Sequence, residues 1–225
     1  MARPKLSEDA RALKREDILD AAMTVFEQQG GIEALSFRKL AVEMGLSYSA
    51  PYRYFANKAE LVDALRARAF RWIEKAMIQE IDTTASPDEQ LNALAAAYIN
   101  AGVERPARYA LMFFELKDHD QQSRSLELKA AKRDALDVCT QVIAAGQDSG
   151  AFPATMDPLT AAHLFWIGAH GVVSLQVSGQ FVMGRHPKIL VPMLVRTLRQ
   201  GMEHYNSESS ALTDSIEIKE IKHGR

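Results

Sequence analysis

Residues 45–61, GLSYSAPYRYFANKAEL, concentrate hydrogen-bonding side chains in one short stretch of the chain. The groups are serine and tyrosine hydroxyls together with the charged ends of Arg53 and Lys58. Hydroxyl and cationic groups bond to phosphate oxygens and to the edges of bases. The stretch therefore has the chemistry to bind nucleic acid, provided that a helix presents these groups to a groove.

The segment before this stretch predicts a short helix. Ser36 can cap its N-terminus by accepting a hydrogen bond from a free backbone N–H, and Gly45 ends it. Arg38 and Lys39 are predicted to point outward. The apolar residues recur at helical spacing and share the opposite face, namely Phe37, Leu40, Ala41 and Met44.

A second short helix is predicted to begin at Tyr48, with Ser47 as its cap. Pro51 would lie within the first turn, where we expect its missing N–H to cost least. Two helices of about two turns each, joined by about three residues with glycine at the turn, form a helix-turn-helix. Because the second helix of that motif fits the major groove of DNA, its outward side chains can meet base edges.

The local charge of the chain agrees with this reading although the overall charge does not. Over 225 residues the formal net charge is -2, with a pI of about 6.3, so no global positive field attracts nucleic acid. Residues 2–15, ARPKLSEDARALKR, carry five basic residues against two acidic ones. This basic arm leads into a predicted helix that ends at Gly30 and Gly31, and its apolar stripe comprises Ile18, Ala21, Ala22, Val25 and Phe26.

Three motifs follow one another between residues 12 and 61. FEQQG at 26–30 closes the first helix, SFRKLAVEMGLS occupies 36–47, and YRYFANKAEL occupies 52–61. Together they resemble the signature of the TetR family of transcriptional regulators. Pro51 departs from that signature, in which leucine is more usual, and it leaves the set of base-reading residues open.

The resemblance implies roles for individual side chains. Phosphates would be held by Ser36, Tyr52, Tyr54 and Lys58. Bases would be read by Tyr48, Ser49, Ala50 and Arg53. The predicted DNA contacts comprise Ser36, Arg38, Lys39, Ser47, Tyr48, Ser49, Ala50, Tyr52, Arg53, Tyr54 and Lys58.

The rest of the chain is also predicted to be helical, so the fold class is all-α. We expect a DNA-binding domain at 1–60, a helical effector-binding and dimerisation domain at 61–205, and a flexible polar tail at 206–225. One helix should cover 58–81, residues 82–87 should form a loop, and Pro106 should separate two further helices. A longer amphipathic helix should then end near Gly150.

Residues 159–179, LTAAHLFWIGAHGVVSLQVSG, are apolar almost all round. Such a helix is either buried or part of an oligomer interface. The motif Trp166-x3-His170-Gly171 resembles one class of TetR-family C-terminal domain. The resemblance implies homodimerisation through the last two helices, a palindromic operator in double-stranded DNA, and release by a small-molecule effector.

Two clusters are the predicted effector contacts. One cluster consists of aromatic and apolar side chains, and the other places polar atoms among apolar groups, as ligand sites often do. The alternative for each residue is plain core packing. The candidates are Tyr109, Met112, Phe113 and Phe114 in the first cluster, and Trp166 and His170 in the second.

No catalytic constellation is recognisable in the sequence. His163 and His170 are about 10 Å apart along a helix, too far to share one metal directly. Residues 118–120, DHD, read as a solvated loop, and Cys139 reads as a buried thiol. We expect that the protein is not an enzyme and that it has no metal, no cofactor and no membrane span. We expect a cytoplasmic location. The alternative function is a helical dimer whose helix-turn-helix contacts a protein instead of DNA.

Overall fold

The computed structural model describes residues 7–29, 31–113, 125–182 and 184–205. These residues form α-helices, two short 3-10 helices and no strand, so the predicted all-α fold is confirmed. None of the helices described is both long and apolar enough to cross a membrane. The helices are α1 (Glu8–Gln29), α2 (Phe37–Glu43), α3 (Lys58–Glu80), α4 (Pro87–Glu104), α5 (Pro106–Phe113), α6 (Leu126–Asp148), α7 (Pro158–Val177) and α8 (Pro187–Glu203).

The described residues divide into two compact units. The first contains residues 7–71, 105–113 and 125–132, and the second contains 72–104 and 133–205. In the first unit the predicted stripe of α1 is buried except for the partly buried Ala21, and Ile18, Ala22 and Val25 are fully inaccessible to solvent. α2 contributes Phe37 and Leu40 to the same core.

Both ends of α2 follow the sequence prediction. Ser36 caps the N-terminus, since its Oγ accepts a hydrogen bond from the backbone N–H of Lys39 at 3.2 Å. At the other end Gly45 has a φ of 62°, a left-handed conformation that costs glycine little. The N–H of Gly45 bonds to the Val42 carbonyl at 3.1 Å, and that of Leu46 to the Ala41 carbonyl at 2.7 Å. These two bonds form a Schellman motif, which satisfies the last carbonyls of α2.

The predicted α-helix beginning at Tyr48 is wrong. Residues 48–50 form turns, and a 3-10 helix covers Pro51–Arg53. In an α-helix capped by Ser47, the Ser47 carbonyl would accept from residue 51, but proline has no N–H to give. The Ser47 carbonyl instead accepts from Ala50 at 2.9 Å, a bond spanning three residues, so the segment winds as 3-10 turns.

The second unit contains close helix contacts around α7. A Cβ added at Gly168 would lie 2.9 Å from a terminal methyl of Leu194 in α8, so the two helices are in close contact at this glycine. The apolar composition of α7 is compatible with complete burial, but one part of its surface is exposed. Phe165 and Val172 lie in the core, whereas Ile167 is 60% exposed.

Candidate nucleic-acid interface

The stretch after α2 forms an exposed segment held down by two buried side chains. Pro51 and Phe55 lie inside the first unit, and Phe55 is fully inaccessible. Tyr48 and Tyr52 are each 58% exposed, and Arg53 is also exposed. We call residues 47–55 the recognition segment. Its buried members fix its path, so its polar side chains are presented on a defined surface.

Contacts from α2 orient the two exposed tyrosines. The Tyr52 ring meets the Phe37 ring edge to face, with centroids 4.4 Å apart. The Arg38 guanidinium carbon lies 5.6 Å from the centroid of the Tyr48 ring, within the range of a cation–π contact. Arg38 is exposed as predicted, and it adds positive charge beside the recognition segment.

The serines at this surface have different surroundings. Ser36 uses its oxygen for the α2 cap, which leaves its hydroxyl hydrogen to be donated to an anion. Ser47 and Ser49 are exposed, and their Oγ atoms are 3.5 Å apart. Ala50 and Tyr54 are partly buried.

The start of α3 adds a helix N-terminus to the surface. Asn57 Oδ1 accepts from the backbone N–H of Glu60 at 2.9 Å, and Glu60 Oε2 accepts from Ala56 at 2.7 Å. Lys58 is the first residue of the helix. Lys58 therefore adds a positive charge to the residues at the positive end of the α3 dipole, a combination that favours a bound phosphate.

An ion-pair network that the sequence did not predict lies beside the recognition segment. The Arg15 guanidinium sits 5.0 Å from the centroid of the buried Phe55 ring. Arg15 Nη2 also binds Glu127 Oε2 at 2.7 Å, and both Nη atoms of Arg71 bind Glu127 Oε1 at 3.0 Å. Glu127 thus joins the start of α6 to α1 and α3. These partners are far apart in sequence, and nothing in their local pattern indicates the pairing.

The predicted effector residues of the first unit are packed against one another. Tyr109 and Phe113 have ring centroids 5.0 Å apart, and Phe113 lies 6.0 Å from Phe70 of α3. Tyr109 is 3% exposed and Met112 1%. Buried Arg66 donates to the Met112 carbonyl at 2.9 Å, which ties the end of α5 to α3. Phe114 lies outside the described residues.

The predicted effector residues of the second unit form a partly buried polar cluster. Trp166 Nε1 donates to the Tyr98 hydroxyl at 3.1 Å, and the Trp166 and His170 rings lie 5.8 Å apart. His170 Nε2 is 3.3 Å from Ser174 Oγ. Burial lowers the pKa of His170, which favours the neutral ring.

The residues considered for catalysis do not assemble into a site in the part of the chain that is described. His, Cys, Asp and Glu side chains there form no group of three or more that could hold a metal. Cys139 is buried, and burial raises the pKa of its thiol to about 12. The thiolate required for nucleophilic attack is therefore strongly disfavoured. Residues 118–120 lie outside the described ranges.

Two family models match the chain. Residues 18–65 match the bacterial regulatory proteins of the tetR family, and residues 91–198 match the tetracyclin repressor-like C-terminal domain. The HTH-type transcriptional repressor KstR2 of Mycobacterium tuberculosis is 25% identical over 144 residues, which cover 64% of this chain and 72% of that protein. The first match contains α2, the recognition segment and the start of α3.

Solved structures share the fold. A protein of unknown function from Rhodococcus sp. RHA1 superposes with a TM-score of 0.71 at 24% identity, covering 84% of this chain and 94% of that one. The transcriptional regulator FadR from Bacillus subtilis, in complex with stearoyl-CoA, gives 0.66 at 18% identity, covering 83% and 98%. The matched families and KstR2 are transcriptional regulators and not enzymes. The helix-turn-helix region, the all-α fold and these matches together show that the chain belongs to the TetR family of DNA-binding transcriptional regulators.

Proposed function

We propose that the protein is a homodimeric repressor that binds a palindromic operator and is released by a small-molecule effector. The observation that carries the operator contact is the recognition segment, whose exposed tyrosine, serine and arginine side chains are held by buried Pro51 and Phe55. Repression agrees with the similarity to the repressor KstR2. A bacterial regulator of this kind acts on the chromosome, so we place it in the cytoplasm.

The roles proposed for individual side chains are those that the resemblance to the TetR family implies. Tyr52, Tyr54 and Lys58, with Ser36, would hold phosphates. Tyr48, Ser49, Ala50 and Arg53 would meet bases, and Arg38, Lys39 and Ser47 would support the surface. The boundaries 1–60, 61–205 and 206–225 remain predictions, and the tail lies outside the described residues.

The first experiment is a selection of bound duplexes from a random pool, followed by fluorescence anisotropy on the enriched sequences at several salt concentrations. We expect an enriched palindrome whose log affinity falls linearly with log salt, by about 0.9 for each phosphate contacted. Absence of any enrichment from folded protein would favour the alternative, a helix-turn-helix that contacts a protein partner.

The variant Tyr52→Phe tests the surface without disturbing its packing. It keeps the ring against Phe37 and removes only the exposed hydroxyl. We expect about a tenfold loss of operator affinity, the size expected when one hydrogen bond to a charged group is removed. Tyr205→Phe is the matched control, since Tyr205 is also exposed but lies after α8. Equal effects of the two changes would argue against a DNA contact at Tyr52.

Dimerisation through α7 and α8 is supported by apolar side chains that remain exposed there. Leu164, Ile167 and Leu175 follow helical spacing along α7, and Ile189 and Met193 are one turn apart on α8. Apolar residues grouped in this way mark a protein–protein interface more often than scattered ones do. Two copies joined there would present two recognition segments to two operator half-sites.

Sedimentation velocity on two matched variants tests this interface. Ile167→Asp places a charge on the exposed face of α7, so we expect it to produce monomers. Ile78→Asp makes the same change at an exposed isoleucine of α3, and we expect it to remain dimeric. A dimeric Ile167→Asp protein would place the interface elsewhere.

The effector contact is proposed at Trp166 and His170 in the second unit. The indole and the neutral imidazole supply apolar surface, and the polar groups beside it are the imidazole nitrogens and the Tyr98 hydroxyl that accepts from Trp166, a combination suited to a mostly apolar ligand. Tyr109, Met112 and Phe113 remain predicted contacts in the first unit, where a ligand would have to displace part of their mutual packing. The FadR structure shows that a protein of this fold holds an acyl-CoA molecule.

Release requires that the effector bind the non-operator conformation more tightly than the operator-bound one. A reporter gene behind the selected operator, screened against small molecules, would identify inducers. We expect Trp166→Ala or Phe113→Ala to reduce induction while repression persists. Unchanged induction in both variants would refute this placement of the effector.

A further inference from the structure

Arg11 differs from the other basic residues that the structure describes in the N-terminal arm. Lys14 is engaged by Asp17 at 3.0 Å, and Arg15 by Glu127 at 2.7 Å. Arg11 is exposed, and among the described residues its side chain has no acidic partner within salt-bridge distance. Of the three described basic residues of the arm, Arg11 is therefore the one whose charge is not paired with a described carboxylate.

The Arg11 side chain is bound to the recognition segment. Its Nη2 donates to the carbonyl oxygen of Arg53 at 3.1 Å, a bond between residues 42 positions apart. Arg53 is the last residue of the 3-10 helix. Its carbonyl could have accepted a hydrogen bond from the N–H of Ala56, but that N–H donates to Glu60 instead. Arg11 thus satisfies a carbonyl at the end of the recognition segment, as basic side chains do at helix C-termini.

The position of Arg11 on α1 is itself fixed. Ser7 caps the helix, since its Oγ accepts from the N–H of Ala10 at 3.2 Å, and its carbonyl accepts from the N–H of Arg11 at 2.9 Å. The guanidinium has five N–H donors in a planar fork, which allows it to hold a carbonyl and a phosphate at once. Arg11 is exposed as a residue, and the bond to Arg53 occupies only one of these donors.

We propose that Arg11 donates to a DNA backbone phosphate while its bond to the Arg53 carbonyl holds the end of the recognition segment in place. This inference rests on the proposed operator binding and adds a contact from α1 to it. The ligand is the phosphodiester of double-stranded DNA. Such a contact strengthens binding to all sequences alike and does not alter which bases are preferred.

The test compares Arg11→Gln with Lys14→Gln on the selected operator. Both variants remove one positive charge from the same helix, but Lys14 is paired with Asp17. For Arg11→Gln we expect about tenfold weaker binding and a slope of log affinity against log salt that is shallower by about 0.9 for each bound subunit. Lys14→Gln should keep the wild-type slope. Arg11→Lys, which keeps the charge, should restore most of the slope.

Three results would overturn the inference. Weaker binding by Arg11→Gln with an unchanged salt slope would mean that Arg11 only positions the Arg53 carbonyl. Equal changes of slope in the Arg11 and Lys14 variants would mean a general effect of charge. An Arg11→Gln protein indistinguishable from wild type would remove both roles. Failure of wild-type protein to bind any duplex is a separate outcome, because it removes the proposed function itself. Circular dichroism melting of each variant checks that the fold is intact.

Discussion

Replacing Gly45 by alanine isolates the backbone requirement of the turn that leads into the recognition segment. Gly45 has a φ of 62°, and a Cβ built there would meet no heavy atom within 4 Å. Steric clash with neighbours is therefore absent, and only the left-handed backbone conformation opposes the alanine side chain. That conformation costs an L-residue about 1–2 kcal/mol, so Gly45→Ala should lower the free energy of unfolding by about this amount.

The assay is urea unfolding followed by far-ultraviolet circular dichroism at one fixed protein concentration. Gly201→Ala is the matched control, since a Cβ at Gly201 also meets no atom within 4 Å but the residue lies inside α8. There alanine should raise the free energy of unfolding by about 0.5–1 kcal/mol, because it restricts the unfolded chain and suits a helix. The two substitutions should therefore have opposite signs. Equal or same-sign shifts would refute the attribution to φ.

Three further predictions concern single interactions. Glu127→Gln should lower the free energy of unfolding by about 1–2 kcal/mol, because it removes the charge that pairs with two arginines, and by less at high salt. The control is Asp134→Asn, which removes a charge from an exposed ion pair on the same helix and should cost under about 0.5 kcal/mol. Urea unfolding at two salt concentrations checks this, and equal costs would contradict it. The Cys139 thiol, with its pKa raised to about 12, should not react with a disulfide reagent near pH 8 until the protein is unfolded, and rapid labelling of native protein would contradict its burial. Tyr98→Phe should cost about 1 kcal/mol, since it removes the acceptor of the Trp166 N–H, and an unchanged thermal midpoint would count against that bond.

The local signals in the sequence were reliable where a helix end depends on one residue. Ser36 as a cap and Gly45 as a stop were predicted, and both have the expected hydrogen bonds. The separation of two helices at Pro106 is also confirmed, since α4 ends at Glu104 and α5 begins at Pro106. Each of these features is decided within one turn of backbone, so a few consecutive residues contain the necessary information.

The recognition segment shows where the prediction failed. Pro51 was treated as a residue whose missing N–H costs little, but it occupies the first position that would donate to the cap carbonyl of Ser47. The contact partners of the segment could not be predicted either. Glu127 meets Arg15 from 112 positions away, and Arg11 reaches the Arg53 carbonyl from 42 positions away, distances at which residue spacing carries no information.

The 3-10 winding forced by Pro51 changes how this surface could be re-engineered. A 3-10 helix rises about 2.0 Å per residue with three residues per turn, so side chains three positions apart stack in line about 6 Å apart. In an α-helix the aligned positions are three to four apart and rise by only about 1.5 Å per residue. Ala50 and Arg53, which are joined by a bond from the Arg53 N–H to the Ala50 carbonyl at 3.2 Å, are therefore nearly in line along the segment, whereas α-helical geometry would offset them by about 60°. Base-contacting residues transplanted at equal sequence positions from a regulator with an α-helical second element would point at different base steps, unless Pro51 were replaced with them.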